Sequence, residues 1–260
     1  MIKAVFCDVD NTLTSSKTRT IPASALEAIR IARKNGVKVF AATGRQTRTY
    51  EEGKILQGIT LDGYVAVNGQ LCYLPDDTII HKAILDPRDV AAILQLAEEL
   101  NFACCLVEGD RLYLTKIDEN VRSFHEMIHI PYPVVMSADG AETRDVLSIA
   151  PYIDLETETL ITPYLNNSEI LRFNPYNCDV VPREGGKDVG MQAMLDFFGL
   201  PIDQAMAIGD GQNDITMLKA AGVGVTIGQC SPEVMAAADY HAPEADEDGI
   251  WHTFEKFGLI

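Results

Sequence analysis

Aspartates are the residues of this chain whose spacing points to chemistry. Asp8-Val9-Asp10-Asn11-Thr12 follows an apolar run, Ile2–Cys7, that reads as a buried strand. Residues two apart on an extended chain project to one face, so Asp8 and Asp10 address one site. A second apolar run, Val37–Ala42, stops at Thr43-Gly44-Arg45, and another, Ala205–Ile208, stops at Gly209-Asp210-Gly211-Gln212-Asn213-Asp214. In open parallel sheets ligands collect at the carboxyl ends of strands, so neighbouring strands would bring these three clusters together. Carboxylates crowded out of water repel one another and resist ionisation. A hard divalent cation removes that conflict, and Mg2+ on oxygen ligands commonly keeps waters and a substrate phosphate. Chemistry alone therefore predicts a Mg2+ site handling a phosphorylated substrate. Taken singly, each cluster reads as a cap or a loop; their agreement carries the prediction.

The elements that must position these residues alternate between strand and helix. Pro22 opens a helical segment carrying Leu26, Ile29 and Ile31 that ends near Asn35-Gly36, and a further helical segment follows Arg45. Tyr64–Val67 is a third apolar run, closed by Asn68-Gly69, a two-residue turn signal before Leu71–Leu74. From Gly186 the rhythm resumes with a helix over Lys187–Phe198, the strand Ala205–Ile208, a helix from Asn213 and a strand at Val223–Ile227. This spacing predicts a parallel, doubly wound sheet. The middle reads differently. Pro87–Leu100 is an amphipathic helix with Val90, Ile93, Leu94 and Ala97 on one face, Asp118–Ile128 looks helical, and strand-like pieces lie at Ala103–Val107, Arg111–Thr115, Val146–Ala150, Ile170–Phe173 and Asp179–Val181. The expected fold class is thus α/β: a Rossmann-like parallel-sheet core over 1–82 and 182–260, interrupted by an inserted α+β domain at 83–181.

Composition sets the exclusions. The chain has 260 residues, 21 Lys+Arg against 38 Asp+Glu and a net charge of −17, so electrostatic capture of nucleic acid or an anionic membrane is disfavoured. Apolar runs such as Val90–Leu94 are too short to span a membrane. The first residues read as a strand and not as a leader, which predicts a cytoplasmic protein. The six cysteines show no C-x-x-C spacing and read as reduced, mostly buried thiols.

Three other signals are weaker. His125-Glu126-Met127-Ile128-His129 matches H-E-x-x-H, a zinc pattern when it lies on a helix. Pro131 follows closely and no third ligand is placed, so the segment reads as a surface helix with Phe124 and Ile128 inward. Gly222-Val223-Gly224-Val225-Thr226-Ile227-Gly228 has the wrong glycine spacing for a dinucleotide loop and reads as a core strand. Glu244–Asp248 reads as a solvated turn before the last helix.

With the motifs assembled, the sequence resembles the haloacid dehalogenase superfamily. The resemblance rests on Asp8-Val9-Asp10-Asn11-Thr12-Leu13, Thr43, Lys187 and Gly209-Asp210-Gly211-Gln212-Asn213-Asp214, in that order. The large insertion, Asn68-Gly69 and Asp248-Gly249-Ile250 are similar to the Cof-type members of subclass IIB, and closest to those acting on hexose phosphates. The resemblance implies a Mg2+-dependent phosphatase of a small phosphorylated metabolite. Asp8 would be the nucleophile forming an aspartyl-phosphate, and Asp10 the general acid and then base. Mg2+ would be held by Asp8, the Asp10 carbonyl and Asp210, with Asp214 behind them. Thr43 and Gly44 would bind the phosphoryl oxygens, Lys187 would offset their charge, and Asn213 would add a contact. Arg45 and Asn68 would edge the pocket. In the inserted cap, Arg172 and Tyr176 are candidates for leaving-group contacts, and Glu108 is ambiguous. The usual glycine after the second aspartate is here Asn11, a residue that tolerates left-handed backbone angles. A phosphotransferase or sugar phosphomutase would use the same nucleophile; a receiver-like module would need neither Asp10 nor a cap. The expected assembly is a monomer or weak homo-oligomer.

Overall fold

The computed structural model describes residues 1–47, 54–56, 58–109, 111–172 and 174–260. The helical segment expected after Arg45 lies outside the described residues, which omit 48–53. The chain divides into two compact units, Met1–Lys82 with Gly185–Ile260, and Ala83–Glu184.

The first unit is built on eight strands: β1 (Ala4–Cys7), β2 (Lys38–Ala42), β3 (Gly63–Ala66), β4 (Leu71–Tyr73), β5 (Ile79–Lys82), β12 (Ala205–Gly209), β13 (Val223–Ile227) and β14 (Tyr240–Ala242). They form one sheet in the order β14-β13-β12-β1-β2-β3-β4-β5. Pairing is parallel from β14 to β3 and antiparallel from β3 to β5. Every residue of β1 and β12 is buried, as strands covered by helices on both faces require, and this is why they read as unbroken apolar runs.

Helices α1 (Ala23–Lys34) and α7 (Gly249–Lys256) cover one face, with Ile29, Ile250 and Phe254 packed over Val5 and Val39. Helices α5 (Lys187–Phe198) and α6 (Ile215–Ala220) cover the other, where Met191, Met194 and Leu195 pack on Phe6 and Phe40, whose rings stack at 4.6 Å. The buried face of α1 is Ala25, Ala28, Ile29 and Ala32, whereas Leu26 is exposed. Small alanines let the helix approach the sheet, so the larger leucine was a poor guide to the inward face.

The Asn68-Gly69 connection is longer than a two-residue hairpin. The register pairs Ala66 with Leu71, leaving 67–70 as the loop. Val67, Asn68 and Gly69 all have positive φ, of 51°, 52° and 93°. Gly69 has to be glycine, since a Cβ there would lie 2.0 Å from the Gly186 carbonyl oxygen. The loop is thus shaped by its seat against the start of α5.

The second unit holds β6 (Cys104–Glu108), β7 (Leu112–Leu114), β8 (Val134–Val135), β9 (Val146–Pro151), β10 (Ser168–Leu171) and β11 (Asp179–Pro182), in the order β10-β11-β9-β6-β7-β8. Its pairings are antiparallel except β7 with β8. Helices α2 (Pro87–Glu99), α3 (Glu119–Ile128) and α4 (Leu155–Ile161) each start at an aspartate, Asp86, Asp118 or Asp154, whose side chain accepts a backbone N–H of the first turn. Helix α2 packs in a cluster with Leu106, Tyr113 and Ile149, while Val121 of α3 packs with Cys105, Leu114 and Tyr152 from the alternate positions of the sheet. Buried Asp89 on α2 ties down the 166–168 segment by accepting from the Asn166 and Asn167 N–H groups and the Ser168 hydroxyl.

The H-E-x-x-H segment is not a two-histidine face. His125 is buried with Val121 on the inner side of α3, its Nδ1 3.2 Å from the Ile130 carbonyl and its Nε2 3.4 Å from the Tyr152 hydroxyl, while Phe124 and Ile128 are only half-buried. His129 ends the helix with left-handed angles. None of the six cysteines forms a disulfide; five are buried and Cys230 is half-buried. Among the described residues, no helix is long and apolar enough to cross a membrane.

Candidate active site

Three adjacent strands, β12, β1 and β2, deliver the motif residues. Asp8 follows β1 directly, with its N–H donated to the Ile208 carbonyl at 2.8 Å. The chain then turns through Val9–Leu13, where Asp10 and Asn11 leave helical angles. Asn11 has φ 61°, ψ −2°, so asparagine does adopt the left-handed conformation usually left to glycine. The next residue, Thr12, donates its hydroxyl to Asp210 Oδ1 at 2.7 Å. That bond joins the loop after β1 to the loop after β12.

Lys187, the first residue of α5, reaches the same place from the opposite side. Its Nζ lies 2.6 Å from Asp8 Oδ1 and 2.6 Å from Asp214 Oδ1, and its side chain is fully buried. The other Asp214 oxygen accepts the N–H groups of Asp210 and Gly211 at 3.1 and 2.9 Å. Ligand atoms from Asp8, Asp210 and Asp214 all lie within 4.8 Å of one another. Among the described residues, the three carboxylates are gathered about a single ammonium, which bonds Asp8 and Asp214 directly.

The electrostatics follow from that imbalance. Burial pushes the Asp8 carboxyl well above its ordinary value; the Lys187 charge opposes the rise, and Asp214 and Asp210 add to it. Burial also raises Asp210 to about 6, against the Thr12 hydrogen bond and with the Asp214 charge. Burial alone would discharge Lys187, but Asp8 and Asp214 outweigh it and hold the ammonium charged. Clustered carboxylate oxygens that resist ionisation are a donor set suited to a hard divalent cation.

Around this cluster the remaining motif residues make their own contacts. Asp10 turns its carboxylate to Arg45, whose Nε and Nη2 donate at 2.8 and 2.7 Å. Thr43 is buried at the end of β2, and its hydroxyl accepts the Arg45 N–H at 3.1 Å. Gly44 lies beside Asn68, whose side-chain oxygen would be 3.2 Å from a Cβ at position 44. Asn213 donates to Asn68 Oδ1 at 2.8 Å, linking the loop after β12 to the loop after β3.

Arg172 lies in the second unit. Its guanidinium donates to Glu158 and to the carbonyls of Ile153, Asp154 and Asn174, which makes it a brace of that unit. Tyr176 is half-buried there, its N–H held by Asn174. Glu108 is buried and accepts from the Tyr113 hydroxyl and Arg144. Thr12 and Gly209 were read only as members of their motifs, Gly69 only as a turn residue and Gly186 with no role, so the Thr12–Asp210 bond and the close packing of the three glycines went unread. Thr12 was visible in the D-x-D-x-T spacing; the glycines carry no pattern that separates close approach from ordinary turns.

The haloacid dehalogenase-like hydrolase family model matches residues 5–254. BT1666 from Bacteroides thetaiotaomicron, a phosphatase of that superfamily, superposes with a TM-score of 0.91 at 31% identity, covering 100% of this chain and 96% of its own. BT4131, a subclass IIB sugar phosphatase, superposes with a TM-score of 0.87 at 34% identity, covering 99% and 100%. The 5-amino-6-(5-phospho-D-ribitylamino)uracil phosphatase YcsE of Bacillus subtilis is 25% identical over 251 residues, 96% of this chain and 93% of its own. With the sheet order, the strand-end aspartates and Lys187 all in agreement with this match, the chain is an enzyme that belongs to the haloacid dehalogenase-like hydrolases, of the Cof type.

Proposed function

We propose that the chain is a Mg2+-dependent phosphatase that hydrolyses a small phosphorylated metabolite of the sugar-phosphate class through an aspartyl-phosphate on Asp8. The observation that carries this reading is a buried Asp8 carboxylate 2.6 Å from a buried lysine and grouped with Asp210 and Asp214. The similarity to a sugar phosphatase and to a phosphatase of a ribityl phosphate supports the substrate class.

Asp8, the Asp10 carbonyl and Asp210 would hold Mg2+, with Asp214 ordering the Asp210-Gly211 backbone. Bound there, the ion supplies charge neutralisation for the phosphoryl oxygens. An Asp8 oxygen attacks phosphorus while Asp10 protonates the departing alcohol. Asp10 then takes a proton from the water that attacks the aspartyl-phosphate and frees Asp8. Lys187 is already charged in the ground state and offsets the phosphoryl charge as it spreads in the transition state. Thr43 and the Gly44 N–H bind phosphoryl oxygens, and Asn213, fixed by Asn68, lies at the same site. In this reading the inserted segment, 83–181, is a cap that supplies leaving-group selectivity.

The test is Mg2+-dependent phosphate release from a panel of sugar and polyol phosphates, repeated with Asp8→Asn. Release without an added acceptor, abolished by the substitution, is the expected result. Transfer only to an added sugar would make the chain a phosphotransferase, and full activity of Asp8→Asn would end the covalent mechanism.

A further inference from the structure

We infer that Arg45 is a positioning residue for Asp10, clamping the carboxylate that moves the proton; the inference rests on the hydrolytic reading above. Asp10 needs a clamp. Its side chain is 47% exposed, and it stands on a turn where Asp10 (φ −74°, ψ 124°) and Asn11 (φ 61°) both break helical geometry. The two Arg45 donors, at 2.8 and 2.7 Å, occupy one Asp10 oxygen each. Such a fork fixes both the distance and the plane of the carboxylate.

Arg45 is itself held at its backbone. Its N–H donates to the Thr43 hydroxyl at 3.1 Å, and its carbonyl accepts the Val67 N–H at 3.1 Å. The clamp therefore ties the turn after β1 to the loop after β2. A displacement of one loop is carried to the other, so the proton donor and the proposed phosphoryl-binding Thr43 keep a fixed separation.

The reaction places a specific demand on this pair. As the Asp8 oxygen bonds to phosphorus, the bond from phosphorus to the bridging oxygen breaks, and that oxygen takes the proton from the Asp10 carboxyl. In the second half a water oxygen bonds to phosphorus, Asp8 leaves as carboxylate, and Asp10 recovers a proton from that water. In each half one Asp10 oxygen faces the reacting oxygen. The two-point clamp must then become a one-point clamp, with the second oxygen still on Arg45. A single donor is enough for that state, which separates lysine from alanine at position 45.

The experiment is a double-substitution cycle on the full chain with Mg2+ and the best sugar phosphate from the panel. Arg45→Ala is expected to lower kcat by about 10- to 100-fold, within the usual contribution of a positioned acid, with KM changed less than about twofold. Arg45→Lys is expected to recover at least half of that loss on a logarithmic scale. In an Asp10→Asn background, Arg45→Ala should change kcat by less than about twofold, because the residue it positions is gone. Melting temperatures of all variants exclude unfolding as the cause. A KM rise with kcat retained, or an Arg45→Ala loss that multiplies onto Asp10→Asn, would place Arg45 on the substrate and overturn the inference. Absence of phosphate release by the wild type, or full activity of Asp10→Asn, would instead overturn the hydrolytic reading itself.

Discussion

Gly209 and Asp214 are packed so closely that a Cβ on the glycine would lie 2.4 Å from the aspartate carboxylate. That carboxylate accepts Lys187 and two backbone N–H groups, so it has nowhere to retreat without breaking one of them. Gly209→Ala is expected to displace Asp214, lower stability by about 1–3 kcal/mol and weaken Mg2+ binding. Urea denaturation and a calorimetric Mg2+ titration check both. Wild-type metal affinity in the alanine variant would show that Asp214 has no part in shaping the cation site.

Among the described residues, Lys187 is the one ammonium that bonds the clustered carboxylates, reaching Asp8 and Asp214. Removing it in Lys187→Ala leaves Asp8 and Asp214 buried without their partner, a change that costs about 3–5 kcal/mol in comparable buried pairs. Denaturation without metal should show that loss, and saturating Mg2+ should recover part of it. Phosphatase activity should fall by about 100-fold or more.

Asn11 tests the tolerance of the turn after β1. Its φ of 61° disfavours any residue with a plain Cβ. Asn11→Gly should leave the melting temperature within a degree or two, whereas Asn11→Ala should lose about 1 kcal/mol. Equal melting temperatures for the two variants would mean the turn relaxes to negative φ.

Asp179 supplies a pH signature away from the site. Burial on β11 raises its carboxyl from an ordinary 3.8 to about 6. The folded chain therefore holds a proton that the unfolded chain has released between about pH 4 and 6, and stability falls as pH rises through that window. Asp179 is partly exposed, which tempers the size of the effect. Asp179→Asn is expected to be more stable than wild type by up to about 2 kcal/mol at pH 7.5 and to converge with it at pH 4. Urea denaturation at the two pH values measures the difference.

Fully buried strands were legible in the sequence because burial on both faces leaves an unbroken apolar run, as in β1 and β12. Helix α5 was legible over its whole length, Lys187–Phe198, ending at Gly199 in left-handed geometry. Strands β5, β8 and β14 were missed. Each has two to four residues, and β5 and β8 are largely exposed, so no run of apolar residues announces them. At His125 the reading of a surface helix held while its inward face did not: Val121 and His125 are the buried residues, and Phe124 and Ile128 are half-buried. At the site, residue types were readable and partners were not. Asp10 and Arg45 are 35 positions apart, and Asn68 and Asn213 are 145 apart, so only the folded sheet discloses that they touch.

The strand order β12-β1-β2 also sets a length scale. Strands in a sheet are spaced about 4.8 Å apart, so three of them subtend roughly 10 Å from edge to edge. In the proposed reaction a phosphoryl group and a hydrated ion would fill that width. In that reaction the residues at these strand ends thus meet the phosphoryl group and the bridging oxygen that every phosphoric monoester has in common. Selectivity in such a protein is free to drift by substitution elsewhere while the three strand ends stay fixed.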